Sequence, residues 1–182
     1  FQEFWVGRRG KPEVRALFFA GLDAALPCQA FLDLLEKEDT IIIGPSNPVT
    51  SIGPILALQG VRERLRDKTV VAMSPFIGNK PVSGPAAKFM AARCVPPNDE
   101  GVRSLLGKVD LFIVDKKSSY KGDCRRMSTL MRTRRESGKV AKELLELLGQ
   151  GRVEGDGTRP ANARAQRVAV AKPPAGDHAG KV

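Results

Sequence analysis

Three short apolar segments constrain the fold of this chain more than any other feature of its sequence. They are Thr40–Ile43, Thr69–Met73 and residues 109–115 (VDLFIVD). Each is too short for a typical helix and rich in β-branched residues, a pattern typical of strands buried on both faces of a parallel sheet. Helical patterns separate the segments, and strands that alternate with helices form parallel sheets with right-handed crossovers. We therefore predict a Rossmann-like three-layer α/β fold, with a mainly parallel sheet and helices on both faces.

The helical patterns are marked by apolar residues at helical spacing and by Pro or Gly near their ends. They cover residues 27–37, 51–58, 61–66, 85–93, 100–107 and 136–148. Two further strands are predicted, one over residues 14–20 and a weaker one over residues 126–131. The predicted α/β domain therefore extends over residues 1–149.

A different composition begins at about residue 150. Residues 150–182 contain mainly Gly, Pro, Ala, Arg and Lys, with almost no large apolar side chain. Such a segment cannot bury enough apolar surface to offset the conformational entropy that it would lose on ordering. We predict that residues 150–182 form a disordered basic tail.

The composition argues against several classes of protein. The chain has one histidine, His178, so we do not expect a histidine-based metal site or catalytic triad within it. Its three cysteines are far apart and form no C-x-x-C pair, which argues against a disulfide framework or a zinc site. No segment approaches membrane-spanning length, and residues 1–9 lack a secretory signal. We therefore expect a cytoplasmic protein without a membrane partner.

The formal net charge is +10 at pH 7. A basic surface attracts polyanions, which include nucleic acids and multiply phosphorylated small molecules. Aromatic residues make up only 5% of the chain and do not alternate with the basic residues, which argues against stacking on single-stranded nucleic acid. A solvated basic surface is the favoured interpretation, and a nucleic-acid-binding protein is the weakest of the functional hypotheses.

A loop rich in Gly, Pro, Ser and Asn follows the first apolar segment. It reads GPSNPVTSIGPIL, and its candidate ligand-binding residues are Gly44, Ser46, Asn47, Thr50 and Ser51. Ligands in open α/β sheets bind beyond the carboxyl ends of the strands, where this loop is expected to lie. Gly44 would let the backbone approach a ligand, and Ser51 is the predicted N-cap of a helix whose free N–H groups suit a phosphate.

A second loop, SPFIGNKPVSGP, follows the next apolar segment and has a similar composition. Its candidate residues are Gly78, Lys80, Ser83 and Gly84, with Ser83 as a predicted N-cap and Lys80 as a full positive charge. Tight turns between a strand and a helix require the same residue types, so each loop alone could be purely structural. Two such loops after successive strands favour a binding site for phosphate or another anion, although neither is a Walker A motif or a G-x-G-x-x-G motif.

Two other residues are weaker candidates. Trp5 could stack on a flat ring, although a single Trp more often packs in a core. Asp115 ends the third apolar segment and could bind a metal ion or a hydroxyl, although an Asp in this position more often caps the following turn.

These segments resemble the 2-phospho-L-lactate transferase family, over about residues 1–149. The similarity rests on two long loop segments, GPSNPVTSIGPILAL (44–58) and VVAMSPFIGNKPVSGPAAKFM (70–90). The opening FQEFWVGRRGKPEVR and the later VDLFIVD and STLMRT segments also match. Ordered strings of this length are far more specific than a single glycine motif.

The resemblance implies a transferase that moves a 2-phospholactate-type or phosphoenolpyruvate-type group from a guanosine diphosphate ester to the deazaflavin Fo. The implied products are the unglutamylated F-420 coenzyme and GMP, with Mg²⁺ as cofactor and a homodimer as the common assembly. By similarity, the candidate residues of the first loop line the donor site, those of the second loop complete it, and Trp5 lies near the deazaflavin. Positioning and stabilisation of charge dominate catalysis of such a phosphoryl transfer.

Several features depart from the family pattern. The family begins with a strand, a glycine-rich loop and acidic residues that hold the metal and Fo, and this sequence has no such opening. We therefore expect it to be the C-terminal portion of the enzyme, in which the catalytic residues and metal ligands are unknown and which need not be active alone. In addition, Lys116 and Lys117 follow Asp115 where the family carries acidic residues, and Ser128 precedes the TLM segment in place of Asp.

One alternative shares the expected fold. It is a non-catalytic, nucleotide-sugar-binding regulator of the related gluconeogenesis-factor type, which would bind a nucleotide ligand without transferring a group. The sequence also leaves open whether the donor carries lactate, enolpyruvate or a glycerate-like acid.

Overall fold

The computed structural model describes residues 1–82 and 84–150. The chain divides into two compact units, Phe1–Leu145 and Glu146–Val182, and the sheet and the core cluster belong to the first. The predicted disordered tail lies outside the described residues, apart from Gln150 at the end of the last helix. The predicted N-cap Ser83 also lies outside them.

The strands confirm the predicted mainly parallel sheet. In chain order they are β1 (Thr40–Ile43), β2 (Thr69–Met73), β3 (Phe76–Ile77), β4 (Lys80–Pro81), β5 (Leu111–Asp115) and β6 (Arg125–Met127). Four of them form one sheet in the order β1-β2-β5-β6, and all of its pairings are parallel. Strands β3 and β4 form a separate antiparallel hairpin. All four carboxyl ends of the parallel strands therefore lie at the same edge of the sheet.

The helices also agree with the sequence patterns, with ends that differ by a few residues. They are α1 (Gln29–Lys37), α2 (Gly53–Ala57), α3 (Val61–Arg64), α4 (Ala86–Ala91), α5 (Asp99–Leu106) and α6 (Arg134–Gln150). Two π-helical turns, Glu3–Gly7 and Pro48–Ile52, and one 3-10 turn, Leu22–Ala24, complete the described helices.

The core joins the two central strands to five helices. Each of the helices α1 to α5 contributes a buried side chain to the same cluster as β2 and β5, namely Leu35, Leu56, Val61, Met90 and Val102. Burial of such side chains supplies most of the stabilisation of an α/β fold. The architecture is therefore a Rossmann-like α/β fold with helices around a parallel sheet.

Strand burial follows strand position. Four of the five residues of β2 and of β5 are buried, as their unbroken apolar runs predict. In β1, however, Ile42 is 48% exposed, so the expectation that this segment is buried on both faces is wrong. The reason is that β1 is the first strand of the described sheet and pairs with β2 alone.

Two strand predictions fail wholly or in part. Residues 14–20 form no strand, and none of the described strands pairs with them. Val14 and Leu17 pack against the core instead, while Phe18 is 90% exposed. The weaker strand predicted over residues 126–131 is shorter and lies at Arg125–Met127.

A buried carboxylate connects three elements near the carboxyl edge of the sheet. Asp99, in the first turn of α5, is 4% exposed. Its Oδ1 accepts a hydrogen bond from the hydroxyl of Ser74, which follows β2, and its Oδ2 accepts one from the hydroxyl of Ser118, which follows β5. Both carboxylate oxygens are thus satisfied, and the helix N-terminus favours the negative charge.

Helix α6 begins with a reciprocal capping arrangement. The Thr133 hydroxyl accepts a hydrogen bond from the N–H of Glu136 at 3.2 Å. In return, Glu136 Oε2 accepts from the N–H groups of Arg132 and Thr133, at 2.8 and 2.9 Å. This is the capping-box pattern, and it satisfies N–H groups that the first helical turn leaves unpaired. The Arg132 N–H, followed by the Thr133 hydroxyl, holds the pKa of the Glu136 carboxyl below its ordinary value of 4.5.

Substitution Asp99→Ala should lower the free energy of unfolding by about 3 kcal/mol, because it removes the acceptor of two hydroxyls, one of them fully buried. Chemical denaturation measures this difference. The matched control is Asp123→Ala, at an exposed aspartate, which should change stability by less than about 0.5 kcal/mol. Equal effects of the two substitutions would contradict a central role for Asp99.

Substitution Glu136→Gln should remove a pH-dependent part of the stability. Because the pKa of Glu136 is lowered in the folded state, its stabilisation is fully present above 4.5 and is lost as the pH falls through the lower folded-state value. Thermal unfolding at a series of pH values should show a higher Tm for the unchanged chain at neutral pH, and a smaller difference in acid. A Tm difference that stays constant across this range would contradict the prediction.

Candidate functional site

A cavity of about 450 Å³ lies where the loops after three of the parallel strands converge. This volume falls within the usual range of small-molecule sites. Its lining comes from five places: the N-terminal turn, the loop after β1, the loop after β2, the segment between β4 and α4, and the segment after β6. The lining residues are Phe1, Trp5, Pro45, Ser46, Asn47, Thr50, Ser51, Ser74, Pro75, Val82, Gly84, Pro85, Ala86, Thr129 and Met131.

The loop after β1 is closed by its own asparagine. Asn47 Oδ1 accepts hydrogen bonds from the N–H groups of Val49 and Thr50, at 3.0 and 3.2 Å. The Asn47 carbonyl accepts from the N–H groups of Ser51 and Ile52, both at 3.0 Å. The first N–H groups of this helical turn are therefore satisfied within the loop.

Ser51 is therefore not the N-cap, and this part of the sequence prediction is wrong. The helical segment begins three residues earlier, with Asn47 as N-cap and Pro48 in the first turn. Asn followed by Pro is a strong start signal, because Asn accepts from the first N–H groups while Pro has no N–H to satisfy. The predicted free N–H groups for a phosphate are absent from this turn.

The loop instead lines the cavity with residues that carry polar side chains. Ser46, Thr50 and Ser51, which carry hydroxyls, line the cavity together with Asn47. A hydroxyl can donate or accept a hydrogen bond, so this wall can contact phosphate, carboxylate or sugar oxygens. Gly44 does not line the cavity, and a Cβ at this position would meet no atom within 4 Å.

Only some of the candidate residues of the second loop lie at the cavity. Gly78, with φ of +59°, lies in the two-residue turn that connects β3 to β4, where a positive φ favours glycine. Lys80 is exposed in β4 and does not line the cavity, whereas Gly84 does. The hairpin thus separates Gly78 and Lys80 from the site, while Gly84 joins the residues of the first loop.

The cavity lining carries no charged side chain among the described residues. The lining includes the large apolar residues Phe1, Trp5, Val82 and Met131. It also includes the hydroxyl residues of the first loop. An aromatic surface beside uncharged polar groups suits a flat ring with polar substituents.

Trp5 is a cavity residue and not a core residue. Its side chain is 40% exposed. Gly10, with φ of +62°, lies against the indole ring, and a Cβ there would come within 2.7 Å of Trp5 Cζ3. The sequence left open whether Trp5 stacks on a ligand or packs in the core. Its exposure and its place in the lining favour contact with a ligand.

The cavity includes two buried polar residues that the sequence patterns did not reveal, Ser74 and Thr129. The Thr129 hydroxyl has no hydrogen-bond partner within the described residues. Its N–H donates to Asp115 Oδ2 at 3.3 Å, while Asp115 Oδ1 accepts from the N–H of Lys117 at 2.9 Å. Asp115 therefore caps the turn after β5, the commoner role, and also fixes Thr129 beside the cavity. For Ser74 the available signal was a hydroxyl residue directly after a short strand, whereas Thr129 stands two residues after β6.

The described residues do not provide the donor set of a magnesium site. They contain no group of three or more His, Cys, Asp or Glu side chains that could hold a metal ion. The two buried carboxylates, Asp99 and Asp115, already accept hydrogen bonds on both oxygens. None of the described helices is long and apolar enough to cross a bilayer.

Comparison with known proteins identifies one family. A family model described as 2-phospho-L-lactate transferase CofD matches residues 1–148. The 2-phospho-L-lactate transferase of Methanosarcina mazei is 48% identical over 118 residues, which cover 64% of this chain and 39% of that protein. The enzyme of the same name from Methanopyrus kandleri is 42% identical over 156 residues, or 81% of this chain and 50% of that protein. The one from Methanocaldococcus jannaschii is 39% identical over 155 residues, with coverage of 82% and 50%.

The chain thus spans about half the length, or less, of these curated relatives. The family match extends from the first residue through nearly all of α6, and it includes every segment that lines the cavity. It confirms the resemblance that the loop sequences indicate. The chain belongs to the 2-phospho-L-lactate transferase family.

Proposed function

We propose that this chain supplies substrate-binding loops of a transferase of F-420 coenzyme biosynthesis. The complete enzyme would move a 2-phospholactate-type or phosphoenolpyruvate-type group from a guanosine diphosphate ester to the deazaflavin Fo. The products would be the unglutamylated F-420 coenzyme and GMP. The observation that carries the proposal is the convergence of the family-like segments, which lie far apart in the sequence, on one cavity.

The two kinds of residue in the cavity lining suit the two parts of such a reaction. The ring of Fo would lie against Trp5, and the oxygens of the donor would contact the hydroxyls of Ser46, Thr50 and Ser51. A hydroxyl of Fo would form a bond to the phosphorus that carries the three-carbon acid, while the bond from that phosphorus to the GMP oxygen breaks. Holding the two substrates in line supplies much of the catalysis in a displacement of this kind.

Other features of the proposal rest on the family alone. Among the predicted donor residues, Asn47 and Gly84 line the cavity, whereas Gly44, Gly78 and Lys80 would act from outside it. Magnesium is retained as a requirement of the complete enzyme. A homodimer and a cytoplasmic location are proposed on the same basis.

The whole protein that contains this chain should release GMP when it is supplied with Fo, the guanylated donor and magnesium. Chromatography of the products should show GMP and a phosphorylated deazaflavin in equal amounts, and none without Fo. Trp5→Ala should lower kcat/KM about tenfold, since it removes the indole from the cavity wall. The matched control is Phe18→Ala, at an exposed aromatic residue outside this cavity, which should retain activity.

Absence of both products would contradict the proposed reaction. Calorimetry then distinguishes the regulator hypothesis, because a non-catalytic relative should bind a uridine-diphosphate sugar more tightly than GDP. A clear preference for the uridine ligand would replace the transferase proposal.

Substitution Thr129→Val should separate folding from binding. Valine has nearly the shape of threonine without the unpartnered hydroxyl, so the free energy of unfolding should stay the same or rise by about 1 kcal/mol. If that hydroxyl bonds a substrate, Thr129→Val should raise KM or lower kcat about tenfold, and Thr129→Ser should retain activity. Equal activity of the valine variant and the unchanged enzyme would remove Thr129 from the proposed site.

A further inference from the structure

We propose that Lys88 is a positioning residue that holds the N-terminal turn against α4 and thereby sets the place of Trp5 in the cavity wall. The effect on activity rests on the proposed function, whereas the effect on Trp5 does not.

The ammonium group of Lys88 binds three consecutive backbone carbonyls. Its Nζ donates to the carbonyl oxygens of Gly10, Lys11 and Pro12, at 2.6, 3.0 and 3.2 Å. A lysine ammonium has three donors, so this contact uses all of them. The bonds are charge-assisted and join segments that are 76 to 78 residues apart in the sequence. Lys88 is therefore a structural clamp and is not oriented to bind a substrate phosphate.

The clamped segment is in direct contact with Trp5. The N–H of Gly10 donates to the carbonyl of Phe4 at 2.8 Å, which closes the turn that contains Trp5. Gly10 also lies against the indole ring, so closely that a Cβ would come within 2.7 Å of Trp5 Cζ3. Because Gly10 touches both Lys88 and Trp5, a shift of the clamped carbonyls would shift the indole.

Helix α4 also contacts the turn through an aromatic neighbour of Lys88. The ring of Phe89 lies 5.6 Å from that of Phe4 and 5.9 Å from that of Phe1, centroid to centroid. Such contacts stabilise the association but tolerate sliding and rotation more readily than directed hydrogen bonds do. The lysine therefore fixes the register between the turn and α4, while the aromatic rings supply apolar contact.

The same helix begins at the cavity. Ala86, the first residue of α4, lines the cavity together with Gly84 and Pro85. Fixing the turn on α4 thus fixes the separation between the indole and this segment of the lining. A change in this separation would misplace a ring held there, and a misplacement of about 1 Å can reduce a reaction rate about 100-fold.

The fluorescence of Trp5 tests this inference directly, because the chain contains one tryptophan. Lys88→Met in the 182-residue chain removes the ammonium and retains most of the apolar stem. We expect the emission maximum to move to longer wavelength and quenching by acrylamide to increase. Lys88→Arg, which retains several N–H donors, should restore part of the original spectrum.

A matched control uses a lysine with a similar role elsewhere. Lys108 Nζ donates to the carbonyl oxygens of Arg66 and Lys68, at 2.5 and 2.6 Å, at the amino end of β2 and away from the cavity. Lys108→Met should leave the emission and quenching of Trp5 unchanged. If it alters them as much as Lys88→Met does, the effect is general and the proposal is overturned.

A second variant applies if Lys88→Met does not fold, as judged by circular dichroism. Gly10→Ala keeps the lysine and places a methyl group against the indole, so it should also move the emission of Trp5. Unchanged emission and quenching in a folded Lys88→Met chain, or in Gly10→Ala where that variant is needed, overturns the proposal.

The activity measurement separates this inference from the proposed function. In the whole protein, Lys88→Met should lower kcat/KM about tenfold or more, with partial recovery in Lys88→Arg. A shifted Trp5 spectrum without loss of activity would support the clamp and contradict the use of Trp5 in the site. A whole protein that makes no product leaves the fluorescence result as the test of the clamp alone.

Discussion

The arrangement of the cavity depends most on the pair of hydrogen bonds that the Asp99 carboxylate accepts. A parallel sheet brings the ends of its strands to one edge but does not determine the shape of the loops that follow. Asp99 connects the loops after β2 and β5 to the start of α5 by accepting from Ser74 and Ser118. Asp115 extends this connection to the segment after β6, through Thr129. Two carboxylates that hold backbone and hydroxyl groups thus organise most of the carboxyl edge.

The use of these carboxylates distinguishes the cavity from an ordinary phosphate site. The acidic groups serve the framework, and the exposed cations, such as Lys80, lie outside the lining. The groups that the lining offers to a ligand are therefore hydroxyls, one amide and aromatic side chains. Lys88 follows the same pattern, because its charge is used to hold backbone carbonyls.

Sequence patterns predicted the framework well where burial determines structure. The apolar runs of β2 and β5 are short and bury four of their five residues, as strands in the middle of a parallel sheet do. Their identification in the sequence led to the correct sheet. Residues 14–20 show a similar local pattern, but a strand requires a paired neighbour, and pairing is not encoded in the segment itself.

The site was predicted less completely, because it depends on contacts between distant residues. Asn47 and Ser51 are both good N-caps, and only the Pro that follows Asn47 distinguishes them. Lys80 is close in sequence to the cavity residues, yet the hairpin places it elsewhere. Thr129 reaches the cavity because its N–H bonds to a carboxylate 14 residues away, and Lys88 acts on a segment more than 70 residues away. The two residues of each contact are too far apart in the sequence for a local pattern to reveal that they meet.

The loop closed by Asn47 has a consequence for the rates of binding. Its N–H groups are satisfied before any ligand arrives, so the loop is preorganised and little ordering entropy is lost on binding. The lining residues that the structure describes carry no charged side chain, while the chain as a whole is strongly basic. An anionic substrate would therefore meet the basic surface first, during its approach, and the uncharged lining afterwards. Long-range attraction would accelerate its approach and would weaken as salt is added, since mobile ions screen exposed charges. Once the substrate is enclosed, short hydrogen bonds and ring contact determine how long it stays, and these are almost insensitive to salt. Ionic strength would therefore change the association rate of such a substrate far more than its dissociation rate.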